Sequence, residues 1–123
     1  MASLRSTKSQ CLKVTQIENS NNKKGDYMTT MVTLEFPMKD GMQSGFLELL
    51  GGALADTRAF DGCIKVETFS ETDGSSVLLV EHWKSRKHQE TYFQWRIETG
   101  LVALIAPYMA GAPITKYYKI RAE

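Results

Sequence analysis

The side chains best suited to chemistry lie between residues 81 and 98, which contain two histidines, a phenol, two indoles and two guanidinium groups. On a helix, His88, Tyr92 and Trp95 are spaced by four and three residues and share one face. A histidine and a phenol in line can take a proton from an acidic substrate group and hold the anion. We therefore predict His88 and Tyr92 as catalytic residues. The alternative is an aromatic core stripe that ends in a solvated histidine.

Trp83 is predicted to line a substrate pocket. It shares one strand face with Glu81 and points toward the gap between sheet and helices, where an indole can stack on a planar substrate. A core tryptophan is the alternative. Trp95, Arg96 and Phe46 are predicted as further pocket residues. Arg96 is suited to a carboxylate or phenolate, or to pairing with a glutamate or to full solvation.

Other chemistries find little support in the sequence. The two histidines at 82 and 88 fall on different elements and the cysteines lie far apart at 11 and 63, so no metal site is predicted. Gly51 and Gly52 lie inside a helical stripe, which excludes a phosphate loop, and no cofactor is predicted. Lys and Arg total 15 against 14 for Asp and Glu, so we expect neither nucleic acid nor an anionic membrane as a partner.

Size and composition indicate one ordinary globular domain. The chain has 123 residues, 42% of them hydrophobic and 24% charged, which excludes disorder and a disulfide scaffold. The two cysteines lack a C-x-x-C spacing, and no apolar run follows the first ten residues. We therefore expect reduced thiols in a cytoplasmic protein without a membrane-spanning segment.

Hydrophobic periodicity predicts a first strand at 28–36 and then a helix through about residue 58. Asp40 and Gln43 resemble a capping box at the start of this helix. The pair Gly51 and Gly52 costs helix stability, about 1 kcal/mol for each glycine relative to alanine. We take that cost to indicate close packing at this turn.

The remaining elements follow from turn residues and alternation. Strands at 63–70 and 76–83 form a hairpin, and Ser85 is a good N-cap for a second helix. Gly100 interrupts that helix before a short further piece, and a last strand is predicted at 114–120.

Strand, helix, strand, strand, helix, strand is the ferredoxin-like βαββαβ order, an α+β fold with a four-stranded antiparallel sheet. Both helices fall on one face of that sheet. Strand 76–83 is apolar on both faces, and His82 lies on the face without helices, so we predict a homodimer of two sheets packed back to back. The domain spans residues 26–123 and follows an extension, 1–25, with a candidate edge strand at 11–17.

Four stretches of the sequence form recognisable motifs: Gly41-x-x-x-x-Phe46, Phe60-Asp61-Gly62-Cys63, Glu81-His82-Trp83-Lys84-Ser85 and, in the second helix, residues 92–100, which read Y-x-x-W-R-x-E-x-G. Through these motifs the sequence resembles, over roughly residues 28–120, the antibiotic biosynthesis monooxygenase domains of the dimeric α+β barrel group. The third motif is similar to the family's E-x-W-x-S, and the last resembles a subgroup of the family.

The resemblance implies oxidation of small electron-rich aromatics, such as quinols or anthrones, by molecular oxygen without a bound metal or flavin. A separate branch of the family degrades heme. The sequence departs from both groups, because Tyr92 stands where quinol-oxidising members often have a histidine, and the first strand lacks the asparagine of the heme-degrading branch. A cofactor-independent monooxygenase is our first hypothesis, a non-catalytic dimer that binds a small ligand is the second, and a structural interaction module is the third.

Overall fold

Four antiparallel strands form one sheet in the order β2-β3-β1-β4 in the computed structural model, which describes residues 29–123. The elements are β1 (Thr30–Pro37), α1 (Gln43–Ala59), β2 (Cys63–Ser70), β3 (Ser76–Trp83), α2 (Arg86–Glu98), α3 (Leu101–Ile105), a 3-10 turn (Ala106–Tyr108) and β4 (Ile114–Lys119). The predicted ferredoxin-like order is confirmed. The extension predicted over residues 1–25 and its candidate strand lie outside the described residues.

Strand β3 lies between β2 and β1 in the sheet, and its side chains show how the two faces of the sheet differ. Its alternate residues, starting at Val77 and ending at Trp83, are buried, as the period of two predicts. Leu78, Val80 and His82 point to the other face and are only half-buried. The helices therefore cover one face and leave the other open.

Helix α1 supplies the apolar half of the core. Phe46, Leu50 and Leu54 recur at helical spacing and are buried against the sheet. The ring of Phe46 packs on Phe36, with ring centroids 5.2 Å apart, and on Tyr108 at 6.0 Å. This half of the molecule is an ordinary hydrophobic core.

Two sequence predictions about α1 are wrong. The N-cap is Met42 and not Asp40, and no side chain of the described residues caps this end. The Gln43 amide donates instead to the backbone oxygen of Ser76 at 3.1 Å. The helix glycines also do not mark close packing, because an added Cβ at Gly51 or Gly52 would meet no atom of residues 29–123 within 4 Å. Both glycines lie on the exposed side of the helix.

Helix α2 begins as predicted. Ser85 is its N-cap, and the Ser85 hydroxyl accepts a hydrogen bond from the backbone N–H of His88 at 3.2 Å. Gly100 has a φ of 88°, which few other residues adopt, and it separates α2 from the short helix α3. Within residues 29–123, no helix has the length and apolar character needed to cross a membrane.

The open face of the sheet carries large apolar side chains at its edges. Phe69 on β2 is 49% exposed, and Ile114 and Tyr118 on β4 are exposed to a similar degree. Two shallow depressions, of about 310 and 200 Å³, lie on this face and share Glu35 and Leu78 as walls. Exposed apolar patches of this kind are typical of interaction surfaces.

Candidate functional site

The buried side of α2 is polar, in contrast to the buried side of α1. Gln89, Tyr92 and Arg96 follow one another at spacings of three and four residues, and each is at most 7% exposed. Burial of polar groups is costly unless they are hydrogen-bonded, and this cost rises for a charged guanidinium. The space between α2 and the sheet is therefore organised by hydrogen bonds as well as by apolar packing.

Arg96 is the centre of one hydrogen-bond network. Its Nε donates to the Tyr92 hydroxyl at 2.7 Å, and its Nη2 donates to the Ala53 carbonyl at 2.6 Å and to the Thr57 hydroxyl at 3.0 Å. The hydroxyls of Thr57 and Tyr92 are 2.7 Å apart and share a further hydrogen bond. Arg96 is therefore not solvated, and no glutamate among residues 29–123 forms an ion pair with it, so the alternative that the sequence left open beside a pocket role does not hold for this part of the chain.

The same network affects the acidity of Tyr92. Burial raises the pKa of the Tyr92 phenol, while the hydrogen bonds from Arg96 and Thr57 act in the opposite direction. The phenol is consequently protonated at neutral pH. A hydroxyl held in this way has a fixed position, since two partners on different helices both contact it.

Glu81 is a buried carboxyl on the inner face of β3. It is only 2% exposed, and one of its oxygens accepts a hydrogen bond from the indole N–H of Trp83 at 2.8 Å. Burial raises the pKa of Glu81, opposed first by this hydrogen bond and then by the charge of Arg96. Among residues 29–123, no ion-pair partner lies within 4.0 Å of the Glu81 carboxylate.

Gln89 and Tyr117 close the edge of this region near β4. The Tyr117 hydroxyl donates to the Gln89 side-chain oxygen at 2.6 Å, and Tyr117 is half-buried whereas Gln89 is 1% exposed. Val32 on β1 pairs with both Glu81 and Tyr117, so these two side chains lie on the same face on either side of it. We call the whole set the α2 polar layer. It consists of Thr57, Glu81, Gln89, Tyr92, Arg96 and Tyr117.

An aromatic cluster borders the α2 polar layer. The ring of Tyr92 lies 5.1 Å from that of Trp83, 5.2 Å from Phe60 and 6.2 Å from Trp95, measured between centroids. The guanidinium of Arg96 lies over the Trp95 ring at 4.8 Å, a cation–π contact. Trp83 is fully buried, so Phe60 and Tyr92 occupy the space beside it that the sequence left for a planar ligand.

His88 lies outside this cluster, at the N-terminal end of α2. Its Nδ1 is 2.8 Å from the Ser85 hydroxyl, and its Nε2 is 3.7 Å from a carboxylate oxygen of Asp61. Burial lowers the pKa of His88, and Asp61 only partly opposes this, so the ring is neutral at pH 7. The ring also packs against Gly62, where an added Cβ would fall 2.4 Å from it.

The structure thus brings together four of the six predicted site residues. Trp83, Tyr92, Trp95 and Arg96 are in mutual contact, directly or through one neighbour. His88 contacts the turn before β2, and Phe46 belongs to the apolar half of the core.

Four polar residues of the layer escaped the sequence prediction: Thr57, Glu81, Gln89 and Tyr117. A signal for two of them was present. Gln89 lies three residues before Tyr92 and seven before Arg96, the spacing of a buried helix face, and Glu81 occupies an inward position of an otherwise apolar strand. Polar residues at core positions often mark a functional site.

For metals, the described residues contain no group of three or more His, Cys, Asp or Glu side chains arranged to hold an ion.

Comparison with solved structures gives the class of fold. A conserved protein from Methanosarcina mazei is 14% identical and superposes with a TM-score of 0.68, over 80% of this chain and 99% of that chain. A monooxygenase from the gene ActVA-Orf6 of Streptomyces coelicolor, in complex with the ligand nanaomycin D, is 20% identical, with a TM-score of 0.65 over 79% of this chain and 91% of that chain. Rv0793 from Mycobacterium tuberculosis is 21% identical, with a TM-score of 0.62 over 77% of this chain and 97% of that chain. At such low identities these likenesses establish the fold alone.

Comparison with protein families gives a more specific result. The family model for antibiotic biosynthesis monooxygenases matches residues 29–96, which is more than half of the chain. The chain belongs to the antibiotic biosynthesis monooxygenase family. The resemblance seen in the E-x-W-x-S stretch is thereby confirmed. A search of functionally curated proteins found no match.

Proposed function

We propose that this protein is a cofactor-independent monooxygenase that oxidises a small quinol-type aromatic with molecular oxygen. The α2 polar layer is the observation that carries the proposal, because it places ionisable and hydrogen-bonding groups beside an aromatic cluster in a largely dry interior. Family membership supports the reaction class. A small-molecule ligand is supported by the Streptomyces coelicolor monooxygenase, whose structure holds nanaomycin D.

The reaction balances without an external reductant. A quinol and one dioxygen molecule give a hydroxylated quinone and one water, and the quinol supplies both electrons that reduce the second oxygen atom. What the protein must do is remove a proton from the substrate, stabilise the anion and keep water away. Arg96 supplies positive charge, while Tyr92 supplies a hydroxyl at a fixed position.

Aromatic side chains bind and orient the substrate in this proposal. Trp83 and Trp95 flank the ring of Tyr92, and together they offer flat surfaces of the kind on which planar molecules stack. His88, which the sequence predicts as the proton acceptor, is neutral at pH 7, but its ring contacts Ser85 and Asp61 and not the α2 polar layer. Phe46 takes part only indirectly, by supporting the sheet from the apolar side.

Oxygen consumption tests this proposal. The purified protein is mixed with a panel of quinols and anthrones, and the rate of oxygen uptake is compared with the rate of spontaneous oxidation. We expect at least one compound to consume one oxygen per molecule with saturation kinetics, and Trp83→Phe to weaken turnover. An uptake rate equal to the spontaneous rate for every compound would contradict the proposal. Tyr118→Phe, a conservative change on the open face, is the matched control.

The filled space beside Trp83 favours a second candidate, a protein that binds a small ligand without turnover. Trp83 is fully buried by its neighbours, so a ligand must displace side chains to reach it. Such a protein is distinguished by a rise in melting temperature with added ligand and no oxygen uptake.

We also propose that two copies associate through the open face of the sheet. The apolar side chains of this face are half-buried or exposed, and the Nδ1 atom of His82 is buried without a hydrogen-bond partner among the described residues. A twofold-related sheet would cover the apolar side chains and place the second copy beside His82, since isologous dimers bury the same patch on each copy. Among the described residues Cys63 is a free, half-buried thiol, and a cytoplasmic location, where thiols stay reduced, is part of the proposal.

A further inference from the structure

Glu81 is the buried charged group of the α2 polar layer to which the sequence gives no task. It is 2% exposed on the inner face of a central strand, and within residues 29–123 its one side-chain hydrogen-bond donor is the Trp83 indole. A buried carboxylate without a cation in ion-pair distance costs stability, and a glutamine of the same shape would avoid that cost. A residue that is expensive for folding is a candidate for a functional role.

The surroundings of Glu81 are arranged to receive a polar group. Tyr117 and Gln89 lie toward the β4 side, where the sheet edge is exposed, and both offer side-chain hydrogen-bonding atoms. The Trp83 indole donates to Oε1 of Glu81, and no other side chain of β3 donates to the second carboxylate oxygen, Oε2. Tyr117 and Glu81 lie on the same face of the sheet with Val32 between them, so a ligand hydroxyl that displaces the Tyr117–Gln89 pair would lie on the face that carries the carboxylate.

His88, which the sequence predicts as the proton acceptor, has weaker geometric support for that role than Glu81. Its ring is engaged with Ser85 and packs on the turn at Gly62, and it makes no hydrogen bond to a member of the α2 polar layer. Its Nε2 faces Asp61, whose carboxylate is largely exposed. A proton acceptor must lie within hydrogen-bond reach of the proton it removes.

We infer that Glu81 accepts the hydroxyl proton of the aromatic substrate, and this inference rests on the function proposed above. The substrate O–H bond breaks, its proton passes to a carboxylate oxygen of Glu81, and the electron pair stays on the oxygen of the aryloxide. The carboxylate becomes a carboxylic acid, which needs no counter-cation in the interior. Dioxygen then oxidises the anion as described, and the proton on Glu81 passes to the second oxygen atom, which leaves as water and restores the carboxylate.

The pH dependence of this step is set by the groups that face Glu81 from each neighbouring element. Arg96 and Tyr92 face it from α2, Tyr117 from β4 and Cys63 from β2. Burial raises the pKa of Glu81, which moves the acid limb of the rate profile upward toward neutral pH. Arg96 acts in the opposite direction and keeps the carboxylate form accessible.

The experiment compares Glu81→Gln, His88→Gln and the exposed control Glu67→Gln by kinetics. For Glu81→Gln we expect kcat to fall by about 100-fold or more and the acid limb of the pH profile to disappear. His88→Gln should keep that limb, and Glu67→Gln should match the wild type. A Glu81→Gln enzyme with near wild-type kcat, or an acid limb lost in His88→Gln alone, would overturn the inference.

A binding measurement keeps the inference testable if no quinol is oxidised. Affinities for β-hydroxyanthraquinone and for its methyl ether are measured by fluorescence titration of the tryptophans. The wild type should prefer the hydroxyl compound by about tenfold, the effect of one hydrogen bond to a charged group, and Glu81→Gln should lose this preference while melting at a higher temperature. Equal affinities in the wild type, no binding of either compound, or an undiminished preference in Glu81→Gln would each overturn it, whatever the outcome of the oxygen assay.

Discussion

Removal of a single hydroxyl, by Tyr92→Phe, tests whether the network under α2 is as tightly bonded as its distances indicate. The Tyr92 hydroxyl is 2.7 Å from Arg96 Nε and 2.7 Å from Thr57 Oγ1, and both contacts are buried. A hydrogen bond that involves a charged group contributes about 1.5–3 kcal/mol, and a neutral one about 0.5–1.5 kcal/mol. Arg96 keeps its bonds to Ala53 and Thr57 in the variant. We therefore expect Tyr92→Phe to lower the free energy of unfolding by about 2–4 kcal/mol.

The assay is urea denaturation followed by tryptophan fluorescence and, independently, by far-UV circular dichroism. Tyr118→Phe is the matched control, because its ring is 42% exposed on the open face and its loss of a hydroxyl should change stability by less than about 0.5 kcal/mol. The double variant with Thr57→Val should cost about 1 kcal/mol less than the sum of the two single changes, since both remove the same bond. A cost below about 0.5 kcal/mol for Tyr92→Phe, or strict additivity with Thr57→Val, would refute the reasoning.

Three further predictions concern the turn, the buried carboxyl and the open face. Gly62→Ala should destabilise the fold by about 1–3 kcal/mol, because Gly62 has a φ of 92° and the new Cβ would overlap the His88 ring. Gly51→Ala, at an exposed position inside helix α1, should instead stabilise the fold by about 0.5–1 kcal/mol. Thermal or chemical unfolding measures both changes. Burial raises the pKa of Glu81 above its unfolded value. The contribution of Glu81 to the free energy of unfolding is therefore fully present below the unfolded pKa and is lost as the pH rises through the folded pKa. Urea titrations from about pH 4 to pH 8 should show a larger loss of stability in the wild type than in Glu81→Gln, and parallel curves would disprove this prediction. Val80→Lys should convert a dimer to a monomer in analytical ultracentrifugation with unchanged circular dichroism, and a wild type that is already monomeric at high concentration would remove the proposed interface.

The elements of the fold could be predicted because local signals and burial agree. The alternation from Val77 to Trp83 fixes which residues of β3 face the helices, and a one-residue shift would reverse every side chain. The hairpin turn has its chemistry in place, since Asp73 accepts a hydrogen bond from the backbone of Ser75 at 2.9 Å and Gly74 has a φ of 82°. These features depend on neighbours in the sequence, so periodicity and turn residues suffice to find them.

The start of α1 was mispredicted because two arrangements compete there. Asp40 and Gln43 have the spacing of a capping box, but Gly41 has a φ of 76° and the helix begins only after Met42. Gln43 is then free to bond the distant strand residue Ser76. A tertiary contact replaces the local one, and the sequence pattern does not contain that information.

The candidate site shows the same division. The aromatic side chains of α2 were found from their spacing, while the burial of Arg96 was not, because arginine is rarely buried unless it is paired. Its partners Ala53 and Thr57 lie about forty residues away on the other helix. Only the packing of the two helices brings these groups together, and with them the polar character of the site.

A crystal structure of the protein with bound β-hydroxyanthraquinone tests the location and chemistry of the site together. The ligand is predicted to lie between α2 and the sheet, with its hydroxyl within hydrogen-bond distance of the Glu81 carboxylate and its rings against the aromatic cluster. A ligand found on the open face of the sheet, or a closed α2 polar layer at saturating ligand, would contradict the account.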